Sequence, residues 1–315
     1  MKRAIITGAN GFIGAALCKK LTISGWSVLG FIQTNENITP GHNIELISGF
    51  KLETSNIPKN SLINTQCLIH TAARVHVMQD STVDPLHEFR KVNVEGTLRL
   101  AKQAAAAGVK RFILLSSVKV HGESSQIGQS FRESDQVVPE SPYALSKYEA
   151  ELGLMEIAKT TSMEVVIIRP PLVYGPGAKG NFRILLNWIQ KGIPLPLGAI
   201  NNRRSFVGID NLVDFIITCL EHPKAANQIF FVSDGEDLST TELLKRAAMA
   251  MGRPARLIPV PPVILQIGAK VLGKKEVAQR LLSSLQVDIS KAQNLLGWTP
   301  PLSINEGLSR CAREI

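Results

Sequence analysis

Three residues in this chain have the types and spacing needed to move a proton at a reacting oxygen. Ser141-Pro142-Tyr143-Ala144-Leu145-Ser146-Lys147 reads as the start of a helix, with Ser141 as N-cap and Pro142 in the first helical position. Tyr143 and Lys147 then share a helix face, four residues apart. An ammonium and a helix N-terminus both favour an ionised phenol. The spacing therefore predicts a Tyr143 pKa below the ordinary value of about 10, and a general acid/base usable near neutrality. Ser117 directly follows a strand predicted at 111–116, which places its hydroxyl at the strand's carboxyl edge, within reach of a reacting oxygen. A tyrosine beside a lysine is by itself a common surface pairing. The serine and a phosphate-cradling loop, in this chain order, are what make it a catalytic set.

That loop is Thr7-Gly8-Ala9-Asn10-Gly11-Phe12-Ile13-Gly14, a G-x-x-G-x-x-G run between an apolar strand and an amphipathic helix. Glycines there permit a tight turn, let backbone approach a pyrophosphate, and bring helix and strand close together. The helix N-terminus supplies N–H donors and the positive dipole end. A dinucleotide is the expected ligand, with Gly8, Asn10, Gly11, Phe12, Ile13 and Gly14 around it. At the end of the second strand an acid would accept from the ribose 2′-hydroxyl of NAD, and an arginine would suit the 2′-phosphate of NADP. The slot holds Gln33, so NAD and NADP both stay open.

The elements that must position these groups alternate. Strands are predicted at 4–7, 27–32, 67–71, 111–116 and 164–168, and helices through 15–24, 88–107 and 142–159. Strands alternating with helices of this length indicate βαβ units, and hence an α/β Rossmann-type, doubly wound parallel sheet with ligands at the strands' carboxyl ends. After Arg169 the rhythm breaks at Pro170-Pro171 and Gly175-Pro176-Gly177. Helices at 181–191 and 210–222 and a capping box at Ser239 with Glu242 follow. Residues 1–170 read as the NAD(P)-binding domain. Residues 171–315 read as a mixed region, mainly a smaller substrate-binding lobe, with elements that return to the sheet.

Composition narrows the classes. With 315 residues, 44% hydrophobic and 19% charged, the chain can bury a sizeable core, which excludes wholesale disorder. The net charge of +9 favours anionic partners, but the cations never form a polybasic run, so phosphorylated metabolites rank above nucleic acid. Cys18, Cys67, Cys219 and Cys311 are far apart, without C-x-x-C spacing, which fits a reducing cytoplasm and neither disulfides nor a zinc site. A strand begins within three residues of Met1, so no signal peptide is expected. The apolar stretch at 260–273 is too short to span a bilayer of about 30 Å and contains Lys270. Its 263–271 part is expected as a packed helix rather than a membrane-surface one.

The chain resembles an extended short-chain dehydrogenase/reductase of the NAD-dependent epimerase/dehydratase family. The matching stretches are TGANGFIG at 7–14, CLIHTAA at 67–73, NVEGT at 93–97, SSVKVHG at 116–122, YALSK at 143–147, RPPLVYGPG at 169–177, RSFVGIDNLVD at 204–214 and DISKAQNLLGW at 288–298. The resemblance implies that Ser117, Tyr143 and Lys147 are the catalytic triad, with Lys147 also on the nicotinamide ribose. It puts Thr71, Ala72, Ala73, Asn93 and Pro170 on the cofactor side. It implies that Asn181 and Arg204 face the diphosphate of a UDP-sugar, with Arg280 reaching the nucleotide and His76 bordering the sugar, and that the protein is a homodimer. The family's G-D-L segment, an adenine contact, reads Gly49-Phe50-Lys51-Leu52 here.

Sugar 4,6-dehydratases of that family carry Asp-Glu after the serine. Here the pair is Val118-Lys119, which disfavours dehydration. SSVKVHGE, AARVHVMQD at 72–80 and the LLSSLQVDISK tail are similar to bacterial enzymes of surface polysaccharide (O-antigen) sugar synthesis, a resemblance that implies reduction of a UDP-4-keto-6-deoxy-N-acetylhexosamine or 4-epimerisation of UDP-glucose or UDP-N-acetylglucosamine. The missing acid at Gln33 tilts the reading to the reductase. His70, inside a strand, is expected to be a packed core histidine. No His/Cys/Asp/Glu cluster has metal-ligand spacing. A catalytically silent dinucleotide sensor would tolerate loss of Tyr143 or Lys147, and both are kept.

Overall fold

The computed structural model describes residues 2–34, 43–75, 84–178, 180–273 and 275–313. A seven-stranded parallel sheet forms the centre, built from β1 (Arg3–Thr7), β2 (Ser27–Phe31), β3 (Ile44–Ile47), β4 (Cys67–His70), β5 (Arg111–Leu115), β6 (Glu164–Arg169) and a late strand, Gln228–Phe231. The order is β3-β2-β1-β4-β5-β6, with the late strand outermost beside β6. Its strands read as near-continuous apolar runs because helices cover both faces. On one face lie α1 (Phe12–Ile23) and a helix at Ile209–Glu221; on the other lie a helix at Thr97–Ala106 and the long helix Pro142–Thr160.

The helices between β3 and β6 are α2 (Lys59–Leu62), α3 (Pro85–Phe89), α4 (Thr97–Ala106) and α5 (Pro142–Thr160). The helix expected at 88–107 is therefore divided: residues Arg90–Gly96 form a π-helical turn between α3 and α4. Such wide turns occur chiefly at functional sites. Chain reversal between β1 and β4 makes the topological switch point, where a doubly wound sheet opens its ligand crevice.

Beyond β6 a three-stranded sheet joins β7 (Leu172–Tyr174), β8 (Arg204–Gly208) and a short strand, Asp237–Leu238, that follows the outer strand; in chain order these last two are β9 (Gln228–Phe231) and β10 (Asp237–Leu238). The helices of this part are α6 (Asn181–Gln190), α7 (Ile209–Glu221), α8 (Thr240–Ala250), α9 (Pro262–Val271), α10 (Lys275–Leu282), α11 (Ser290–Leu296) and α12 (Ile304–Ala312). Tyr174, Phe182, Leu186, Leu244 and Leu308 centre a separate apolar core. The capping box at Ser239 and Glu242 is formed as expected. One expectation fails here: α9 has no buried residue, and Val263, Ile264, Ile267 and Val271 are exposed. Among the described residues no helix is long and apolar enough to cross a membrane, all four cysteines are buried, and no group of His, Cys, Asp and Glu is placed to hold a metal.

Candidate active site

The glycine loop is built by two close approaches. Gly8 has φ +71°, and a Cβ there would lie 2.9 Å from the Ala72 nitrogen; a Cβ on Gly14 would lie 2.1 Å from the Gly8 carbonyl oxygen. Both positions therefore require glycine. Gly11, the N-cap of α1, has ordinary φ and supplies no side-chain cap, and the first turn contains no acid. The first-turn N–H groups, which lack intrahelical partners, thus face the crevice with the dipole's positive end unneutralised. That is the donor set for a pyrophosphate. The crevice is a cleft of about 550 Å³, a size suited to a cofactor, lined by Gly8, Asn10, Gly11, Phe12, Ile13 and Gly14 on one side and Thr71, Ala72 and Ala73 on the other. These glycines and donors fit a dinucleotide.

Gln33 lines the same cleft and is exposed just after β2. The remaining wall was not legible as a site: Phe31, Phe50, Leu52, Glu53, Arg74 and Val92 line it too. Phe31 and Phe50 are in ring contact, with centroids 4.6 Å apart. Phe50 and Leu52 belong to the stretch that departs from the family's G-D-L segment, so an apolar wall stands where that segment places an aspartate.

Asn93 does not line this cleft. It is buried in the π-helical turn, where Oδ1 accepts from the Arg74 N–H at 2.8 Å and Nδ2 donates to the Arg74 carbonyl and to Ser146 Oγ, both at 3.0 Å. Through these bonds Asn93 pins the loop after β4 to α5. Pro170 is likewise buried, and its carbonyl accepts from the Val118 N–H at 3.0 Å. It supports the backbone behind Ser117.

The triad residues do converge. Ser141 caps α5 by accepting from Ala144, and Pro142 opens the helix as expected. Ser117 leaves β5 in extended backbone and caps the short 3₁₀ turn Val118–His121. It hydrogen-bonds the Tyr143 phenol, which opposes a rise in that group's pKa. The Tyr143 ring meets Phe89 edge-on at 6.0 Å, and the Arg74 guanidinium lies 5.5 Å from the Phe89 ring, which links the triad to the cleft wall. The expected depression of the Tyr143 pKa is not found. Burial pushes the phenol up to about 12, more than Ser117 offsets. Burial also pushes the Lys147 amine down to about 8, with Glu151 opposing. Lys147 shares the helix face as the spacing predicts, but what lowers the phenol's pKa is Ser117, and desolvation outweighs it. In the protein alone Tyr143 is a protonated acid.

Behind the triad lies a buried network. Glu151 continues the face of Tyr143 and Lys147 by one more turn, and its carboxylate pairs with Arg169, both side chains being 2% exposed. Ser116 Oγ donates to the same carboxylate. Arg169 also donates to His121 Nε2 at 2.6 Å, and burial and that guanidinium hold His121 down to about 4. The signals in the sequence were the spacing of four from Lys147 and a lone arginine ending an apolar strand. His70 is the packed histidine expected: Nδ1 and Nε2 pair with the hydroxyls of Thr7 (2.6 Å) and Thr97 (2.9 Å), and burial, with Lys147 adding to it, holds it down to about 3.

Toward the C-terminal lobe, Arg204 opens β8 and donates to the Ser283 carbonyl at 2.9 Å; burial pushes it down to about 10, with Glu123 opposing. Asn181 starts α6, and Arg280 lies in the last turn of α10. His76 lies outside the described residues. After Ser117, Val118 is in the core and Lys119 pairs with Glu123 at 2.7 Å, so no free acid–base pair follows the serine.

Known proteins resemble the chain over nearly its whole length. The model of the NAD dependent epimerase/dehydratase family matches residues 4–233. A UDP-glucose 4-epimerase of Vibrio cholerae is 46% identical over 99% of this chain and 95% of its own length. Another UDP-glucose 4-epimerase, from Mycolicibacterium smegmatis, is 29% identical over 98% of the chain and 96% of its own. Among solved structures, MoeE5 in complex with UDP-glucuronic acid and NAD superposes with a TM-score of 0.80 at 24% identity, covering 99% of this chain and 98% of that one.

Proposed function

This chain belongs to the NAD-dependent epimerase/dehydratase family, and from that premise we propose that it interconverts the C4 epimers of a UDP-hexose. The observation that carries the reading is the contact of Ser117 with Tyr143, one helical turn from Lys147 and linked through Phe89 and Arg74 to the dinucleotide cleft. A bound nicotinamide supplies the hydride acceptor and donor, and its oxidised ring adds a positive charge. Tyr143 handles the proton of the C4 oxygen, Ser117 orients that oxygen, and Lys147 stabilises the phenolate and holds the ribose. Arg204, Asn181, Arg280 and His76 are the groups for the UDP-sugar. Residues 1–170 serve as the NAD(P)-binding domain, 171–315 mainly as the substrate lobe, and the working unit is a homodimer.

The 46% identity to a UDP-glucose 4-epimerase favours epimerisation over the reductase that Gln33 suggested. The Lys119–Glu123 pair speaks against 4,6-dehydration. A second reading, one-way reduction of a 4-keto sugar in surface polysaccharide synthesis, draws on the exposed Gln33, which gives an NAD ribose no carboxylate. The test is to denature the purified protein, identify the released nucleotide by mass, and assay UDP-glucose and UDP-N-acetylglucosamine without added cofactor. Retained NAD with conversion of either sugar is expected. An empty protein that binds NADPH and turns over 4-keto sugars alone establishes the reductase. Retained NAD without turnover on any UDP-sugar overturns both in favour of a sensor.

A further inference from the structure

Two long stretches of the C-terminal part contain no acid: residues 165–209, with six Lys or Arg, and residues 243–275, with seven. The second contains α9. On its helical wheel Val263, Ile264, Ile267 and Val271 fall within an arc of about 100°, while Leu265 points the opposite way. The structure agrees: Leu265 packs on the lobe's core, whereas those four and Leu272 are 58–81% exposed. Just before α9, Ile258 bonds to the backbone of Leu195 and is exposed, as are the neighbouring Ile193, Trp188 and Ile184. Exposed cations accompany these residues along the chain: Arg183 and Lys191 on either side of Trp188, Arg253 and Arg256 beside Ile258, and Lys270 on α9.

We propose that this face of the C-terminal lobe binds the surface of an anionic lipid bilayer, with α9 lying in the headgroup plane. An amphipathic helix with an apolar arc, flanking lysines and arginines and a nearby tryptophan has the composition of an interfacial element. Its length, ten residues, is far below a membrane span. A second copy of the chain is the poorer occupant. A two-fold contact would set Lys270, Arg253 and Arg256 against the same groups of the partner, without a carboxylate from either stretch to offset them. An anionic surface complements the cations and takes the apolar arc together.

The experiment is co-sedimentation of the whole protein with vesicles of phosphatidylglycerol and phosphatidylcholine, against phosphatidylcholine alone, at low and high salt. Binding to the anionic vesicles that weakens with salt is expected. Ile264→Asp/Ile267→Asp should abolish it, and Lys270→Glu should weaken it about tenfold. Because these side chains are exposed and far in sequence from the triad, thermal melting and turnover of a soluble substrate should be unchanged. Absence of vesicle binding, or equal binding by the double variant, overturns the proposal. So does a double variant that converts a dimer to a monomer in sedimentation equilibrium while vesicle binding stays absent, since the face would then be a contact between copies.

Discussion

The cluster behind Tyr143 and the outside of the C-terminal lobe hold their charged groups in opposite ways. Behind Tyr143 and Lys147, charges are buried and paired: Glu151 with Arg169 and Ser116, Arg169 with His121. In the lobe, ion pairs stand in solvent, as in Arg246 with Glu236, whose side chains are 30% and 48% exposed. Helix α9 leaves Val263, Ile264, Ile267 and Val271 exposed. A proton-transferring group gains from neighbours that cannot rearrange, because a reaction geometry must be held closely. A surface that meets large or variable partners gains from accessible side chains. The difference fits the proposed roles, chemistry in the first region and recognition in the second.

Breaking the buried pair should have the largest effect on stability. Glu151→Ala leaves the Arg169 guanidinium buried without its partner, and such a change costs about 3–5 kcal/mol. Urea denaturation checks it, and a loss below about 1 kcal/mol would show that water replaces the carboxylate. Acid should act on the same region. His70 and His121 are held down to about 3 and about 4, so each stays neutral in the fold while the unfolded chain takes up a proton near the ordinary 6.5. Their contribution is intact above about pH 6.5 and is lost as the pH falls toward 4, with a slope of up to about 1.4 kcal/mol per pH unit for each group. His70→Gln should remove one proton from that slope in denaturation curves taken across this range. If the slope is unchanged, His70 is not neutral in the fold.

On the recognition side, Arg204→Ala removes a guanidinium assigned to phosphate oxygens. Charge-assisted bonds contribute about 1.5–3 kcal/mol, so KM for the UDP-sugar should rise at least about tenfold while affinity for the dinucleotide holds. Equal KM removes Arg204 from the substrate site. Arg246→Ala should be the mildest change, within about 1 kcal/mol in stability, because its pair with Glu236 is screened by solvent. A larger loss in urea denaturation would mean the lobe depends on its surface pairs.

Much of the cofactor half was legible in the sequence because apolar strands, glycine turns and capped helices each leave a local signal. The positions of Gly8, Ser117, Tyr143 and Lys147 follow from such signals. What was not legible depends on packing. The π-helical turn at Arg90–Gly96 lies in a stretch with ordinary helical periodicity, and its role shows only once Asn93 meets Arg74 and Ser146. The Tyr143 pKa is set by desolvation, which spacing along the chain does not reveal. Strand β7 follows Pro170-Pro171 directly and is three residues long, too short for a period to emerge. For α9, periodicity identified an amphipathic helix but could not say that its broader apolar face would stay uncovered.

The central claim is that Tyr143 transfers the proton at the sugar's C4 oxygen, and Tyr143→Phe tests it most directly. The ring, its edge contact with Phe89 and the dinucleotide cleft should survive the change. Turnover of a verified UDP-sugar and bound dinucleotide should be measured together in parent and variant. A fall in kcat of about 10²–10⁴-fold with unchanged dinucleotide content is the predicted result. Full turnover by Tyr143→Phe would contradict it and place the proton on another group.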